Sequence, residues 1–104
     1  MTYKMENNRK HVSEIPKRFT KYGREHVLIK NKGMTSIHES KTPSGKTVYE
    51  ITLARKDKNG GIMMPGSSKW GVDGFTTTTI ERAEMRFDQL REKEDKRKAW
   101  RAKQ

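Results

Sequence analysis

The stretch Arg97-Lys98-Ala99-Trp100-Arg101 carries the most suggestive chemistry in this sequence. Cationic side chains there flank a single tryptophan. Cations attract phosphates, and an indole offers a flat face to a base or fills a pocket on a partner. Two further basic groups lie upstream, Lys17, Arg18, Lys21 and Arg24 toward the N-terminus and Arg55, Lys56 and Lys58 near a turn. The candidate nucleic-acid-contacting residues are therefore Lys17, Arg18, Lys21, Arg24, Arg55, Lys56, Lys58, Arg97, Trp100 and Arg101.

Catalytic chemistry is poorly represented beside this. His11, His26 and His38 lack the spacing of metal ligands, although His26 and His38 fall in adjacent expected strands. Glu39, Glu50, Asp57 and Asp73 are the carboxylates a metal-dependent nuclease could use. Glu50, however, is followed by Ile51 and Thr52 rather than by the lysine such a motif needs. Gly60-Gly61 lacks the lysine and the following helix of a phosphate loop, and no serine sits in a nucleophile elbow. The expectation is a protein that binds, with no enzyme activity, no metal and no cofactor.

Charge supports that expectation. The chain carries 24 Lys and Arg against 13 Asp and Glu, a formal net charge of +11. Residues 1–33 contribute +6, residues 34–74 only +2, and residues 75–104 +3. A positive excess at both ends favours polyanions, because contact with phosphates releases condensed counterions. An acidic protein surface is the competing partner. No cysteine is present, which excludes disulfides and thiolate metal sites. No apolar run is long enough to span a bilayer, and the first residues lack the apolar core of a secretory signal, so a cytoplasmic location is expected.

The elements that must hold these residues are legible by period. With 104 residues, 30% of them hydrophobic, the chain allows one small domain. Residues 1–23 read as a basic, largely irregular arm. Residues 24–30 form a β-rich run ended by Asn31-Lys32-Gly33, and residues 34–40 a weaker strand anchored by Ile37. Lys41 to Lys46 is a turn with Pro43 and Gly45. Residues 47–55 are the best strand: Tyr49, Ile51 and Leu53 alternate toward a core, opposite Val48, Glu50, Thr52 and Ala54 toward water. Asp57 to Gly61 is a hairpin turn, with residues 62–64 pairing back. Trp70, in the loop that follows, is expected as a lid over the core edge.

The helix begins where Thr78-Thr79-Ile80-Glu81 matches a capping box, with Thr78 as the cap. Ile80, Ala83, Phe87 and Leu90 lie three or four apart and share one face. Glu94 and Arg97 then stand where apolar residues would continue, so residues 91–104 are expected as an exposed, charged extension. Glu92 with Lys96 and Glu94 with Lys98 would brace it as i, i+4 pairs. The fold class is α+β, a three- to four-stranded antiparallel sheet covered on one face by a long C-terminal helix. The folded domain is expected over residues 24–90, with Val27 and Ile29 (or, on the other face, Leu28), Ile37, Tyr49, Ile51, Leu53, Ile62, Met64, Phe75, Ile80, Ala83, Phe87 and Leu90 as its core.

Strands followed by one helix, with Gly74-Phe75-Thr76-Thr77 leading into it, resemble the DNA-binding domain of plant ethylene-response factors and the arm-binding domain of some phage-type integrases. Gly74, Phe75, Ala83 and Phe87 take the corresponding positions, and the resemblance covers roughly residues 34–91. It implies a sheet whose open face lies in a DNA major groove through Arg and Trp side chains. Here that face would present Val48, Glu50, Thr52 and Ala54, with no arginine. The basic residues lie instead on the arm, the hairpin end and the helix tail, an arrangement suited to phosphate contacts.

Three functions are thus in view. The first is a small nucleic-acid-binding protein that grips DNA or RNA phosphates with its arm and C-terminal helix. The alternative is a phage-type accessory protein that binds and inhibits or modulates a host protein, such as a nucleic-acid enzyme or defence factor. The third is a homodimer through the exposed helix half.

Overall fold

The computed structural model describes residues 14–102. The expected irregular arm thus falls partly outside the described residues, in 1–13. Its remainder is ordered: β1 (Arg18–Lys21) pairs antiparallel with β2 (Arg24–Lys32) across a tight Tyr22-Gly23 turn, both residues at positive φ. β2 continues into β3 (Thr35–Lys41) with a bulge between Leu28 and Lys30. β4 (Thr47–Leu53) follows a turn in which Gly45, at φ +88, donates its N–H to the Thr42 carbonyl.

The chain then leaves the main sheet. β5 (Arg55–Lys56) and β6 (Ile62–Met63) form a separate two-stranded ribbon, and Asp57 organises its turn by accepting the Asn59 and Gly61 N–H groups. A short 3-10 turn, Ser67–Lys69, precedes β7 (Gly74–Thr77), which returns beside β4. The main sheet has the order β1-β2-β3-β4-β7, antiparallel throughout. The architecture is the expected α+β one, with α1 (Ile80–Ala102) packed on the sheet. The sheet has five strands because β1 and β7 extend it at its edges. Residues 62–63 pair only with the ribbon.

Helix and sheet meet through Ile37, Ile51, Leu53, Ala83, Phe87 and Leu90, flanked by Met34, Tyr49 and Phe75. Burying a Phe or Leu side chain stabilises by about 1.5–3 kcal/mol, so this layer supplies most of the hydrophobic drive. Five expected members lie outside it: Ile62 and Met64 pack with Leu28 in a second cluster, Val27 is half-buried on β2, and Ile80 and Ile29 are 38% and 44% exposed. Ile80 opens the helix, a turn before its buried stripe begins. Thr79, not Thr78, is the cap; its Oγ1 accepts the Arg82 N–H at 3.3 Å. The capping-box pairing with Glu81 is therefore shifted out of register by one residue.

The opposite face overturns a larger expectation. Val48, Glu50, Thr52 and Ala54 are buried rather than solvated, as are Ser36, His38 and Ser40 beside them. Residues 15–16 lie over this face: the Pro16 carbonyl accepts a 2.8 Å hydrogen bond from His38 Nε2, and Ile15 packs with Ala54, Ile62 and Leu28. Phe19 stacks on His26 at 4.7 Å and meets His38 edge-on at 4.9 Å. At the β7 side Trp70 is the lid, as expected, though over this second face. Its Nε1 donates to Thr76 Oγ1, and its ring leaves no room for a Cβ at Gly74.

Candidate nucleic-acid interface

Two buried carboxylates build the site: Glu94, in the half of the helix expected to run free, and Asp73, which binds cations from that same half. Glu94 continues the Ala83–Phe87–Leu90 stripe and is 4% exposed. Its carboxylate accepts the Met34 N–H at 3.0 Å, the Thr35 hydroxyl at 2.9 Å and an Arg91 guanidinium N–H at 2.8 Å. Burial alone would raise its pKa. The Met34 amide, the Thr35 hydroxyl and Arg91 outweigh burial and hold it below the ordinary value. Gly33 makes the approach feasible. It sits at φ +61, and a Cβ there would lie 2.6 Å from Glu94 Oε2.

Asp73, at the entry to β7, is 1% exposed and gathers three cations. Lys93 Nζ lies 2.8 Å from Oδ1, Arg97 Nη2 3.2 Å from the same oxygen, and Arg55 Nη2 3.1 Å from Oδ2. Burial again opposes ionisation, and the Lys93 and Arg55 hydrogen bonds with the Arg97 and Lys93 charges overcome it, so the carboxyl is held low. Asp73 thereby ties the ribbon, the β7 entry and α1 together. The free extension begins near Lys98 rather than at residue 91.

These anchors place the cations. Arg55 and Lys56 from β5 face Arg97, Lys98 and Arg101 from α1 across a groove of about 460 Å³, floored by Met34, Leu53, Ala54 and Glu94. Lys98 lies 3.7 Å from Glu94. Even with Asp73 and Glu94 both set against these five cations, three positive charges remain. Lys56 and Arg101 have no ion-pair partner among the described residues.

Of the expected site residues, Arg55, Lys56, Arg97 and Arg101 come together in this groove. Lys58 sits in the exposed ribbon turn. Trp100, 64% exposed, lies on the adjoining flank of the helix, in a shallow depression of about 360 Å³ with Gln89, Glu92, Lys93, Lys96 and Arg97. Arg97 lines both. The other four candidates lie on β1, at the start of β2, or just before them. Lys17 is exposed, and Arg18 is paired with Glu25 at 2.7 Å. Lys21 lies 3.4 Å from Glu50 and 4.8 Å from the Trp70 ring centroid, and Arg24 holds its Nε buried. Lys98, which flanks Trp100 in the sequence, was not among the candidates because its expected pairing with Glu94, present here at 3.7 Å, suggested a neutralised charge.

His26 and His38 do approach each other on the second face, where both His26 ring nitrogens and His38 Nδ1 are buried without a partner among the described residues. Burial lowers the His38 pKa, with the nearby His26 acting in the same sense and the Pro16 hydrogen bond and Glu50 opposing it. Among the described residues no group of three or more His, Asp or Glu could hold a metal ion, and no helix is long and apolar enough to cross a membrane. No family model, curated protein or solved structure matches this chain.

Proposed function

We propose that this chain is a non-enzymatic nucleic-acid-binding protein whose phosphate contacts are made in the groove between the β5–β6 ribbon and the last turns of α1. The observation that carries this reading is the convergence of Arg55, Lys56, Arg97, Lys98 and Arg101 around that groove. Cations held by a rigid frame lose less entropy on meeting a phosphate than cations on a loose arm. The Asp73 and Glu94 anchors supply that frame. Major-groove contact through the sheet, which the resemblance to the DNA-binding domains would imply, is disfavoured because the face opposite the helix is buried.

A salt titration tests it. With three to five phosphate contacts, log affinity falls linearly with log salt at a slope of about −2 to −4.5. Lys56→Gln and Arg101→Gln, neither of which touches a buried carboxylate, each flatten the slope by about one. A flat salt dependence, or no binding to DNA or RNA at low salt, ends the reading. Trp100, 64% exposed, also supports a second one, an anchor for an acidic protein that this chain inhibits or modulates. A complex that survives nuclease treatment with the nucleic-acid arm negative selects that alternative.

A further inference from the structure

The nucleic-acid reading leaves open which form of nucleic acid is held, and Trp100 bears on that. It stands one helical turn from Lys96 and Arg97 and next to Arg101, with its ring 64% exposed. Its indole N–H has no hydrogen-bond partner among the described residues. The five-cation groove lies on one flank of α1 and the Trp100 depression on the adjoining flank, with Arg97 common to both. A side chain placed this way meets the π-face of a base only if that base is unstacked. In a duplex those faces are covered by neighbouring pairs.

We infer that the ligand is a single strand, which crosses the last turns of α1 with phosphates in the groove and a base stacked on Trp100. This rests on the proposed function and names its substrate class. Charge complementarity argues for the strand: Lys93, Lys96 and Arg97 around Trp100, with Arg55 behind them, stand against two carboxylates, Glu92 at 3.9 Å from Lys96 and the buried Asp73, which leaves two positive charges in excess. An acidic peptide would satisfy the cations and leave the exposed indole to a side chain. A nucleotide supplies both the anion and the flat ring at the spacing of one residue.

Fluorescence anisotropy with labelled oligo(dT), oligo(U) and a random-sequence duplex of equal length tests the assignment on the full chain. Both single strands should bind more tightly than the duplex. Trp100→Ala should weaken them by about 5- to 100-fold, the range for one base–aromatic stack, and leave duplex binding unchanged. Trp100→Phe, which keeps a ring, should recover most of the loss. In a Trp70→Phe background, oligo(dT) should quench the remaining tryptophan emission. Duplex binding as tight as the single strand, or an equal Trp100→Ala loss on both, overturns the inference and leaves the phosphate groove standing. No binding to any probe at low salt overturns the groove as well.

Discussion

The two faces of the main sheet are buried to a similar degree by opposite chemistry. On one, Ile37, Ile51 and Leu53 meet Ala83, Phe87 and Leu90, and polar groups enter only at the end of the stripe, where Glu94 bonds Met34 and Thr35. On the other, His26, His38, Ser36, Ser40, Glu50 and Thr52 lie under Phe19, Trp70 and residues 15–16. The first face is held by area removed from water and tolerates little loss of volume. The second depends on hydrogen bonds that are only partly made: Ser36 and Thr52 pair at 3.1 Å, while both His26 nitrogens, His38 Nδ1 and Ser40 Oγ have no partner among the described residues. Burial in this protein therefore does not identify the cohesive side. The helix face should set stability, and the polar face should set its dependence on conditions.

The largest break in that contrast is Phe87→Ala, expected to destabilise by about 3–5 kcal/mol in denaturant unfolding. Asp73→Asn comes next. It leaves Lys93, Arg97 and Arg55 around a neutral amide and should lose about 3 kcal/mol, less what solvent screening of the half-exposed Arg55 returns. On the polar face, Ser36→Ala alone strands the Thr52 hydroxyl and should cost about 1 kcal/mol. The double change with Thr52→Val should be close to neutral, because both partners are then apolar. A double variant as damaged as the sum of its parts would show that this face is held by more than that pair. A small effect, about 1 kcal/mol or less, belongs to Ile80→Ser, since that side chain is 38% exposed and stands outside the buried layer.

Proton linkage sharpens the same comparison. The folded-state pKa of His38 lies below its ordinary 6.5, so the unfolded chain binds more protons as pH falls past that value. Stability should be full above about pH 6.5 and decline below it, and His38→Gln should flatten this limb. Facing His38 are His26, Glu50 and, through Glu50, Lys21. The Asp73 and Glu94 pKa values are also depressed, so a second loss should follow below about pH 4.5, as those carboxylates take up protons. Thermal unfolding across pH 3.5–8 resolves the two limbs.

How much of this the sequence disclosed follows from whether local pattern and burial agree. The Asp57–Gly61 turn, the Gly45 turn and the Ala83–Phe87–Leu90 stripe are local, and each formed as expected; the period-2 run expected over residues 47–55 formed as far as Leu53, with Arg55 passing into the ribbon. β7 was hidden because Gly74-Phe75-Thr76-Thr77 is too short to show a period, and Thr-rich residues also suit a helix lead-in. The polar face was misread because alternation shows only that two faces differ. It does not show that the polar one is wet. Glu94 was misread for a related reason. A carboxylate on the apolar stripe marks a stop unless the fold brings donors to it, and here those donors come from Met34 and Thr35, about sixty residues away. A glycine able to admit such a carboxylate, Gly33, was visible in sequence, but its pairing with Glu94 was not.

That distance has a kinetic consequence. The Glu94 carboxylate can meet the Met34 amide and the Thr35 hydroxyl only after β2 and β3 have turned at Gly33 and the intervening chain has closed into a loop. Loop-closure entropy places such a contact late on the folding route. Glu94→Gln should thus leave the refolding rate nearly unchanged and accelerate unfolding, so that the latch sets how long the native state lasts more than how quickly it is reached.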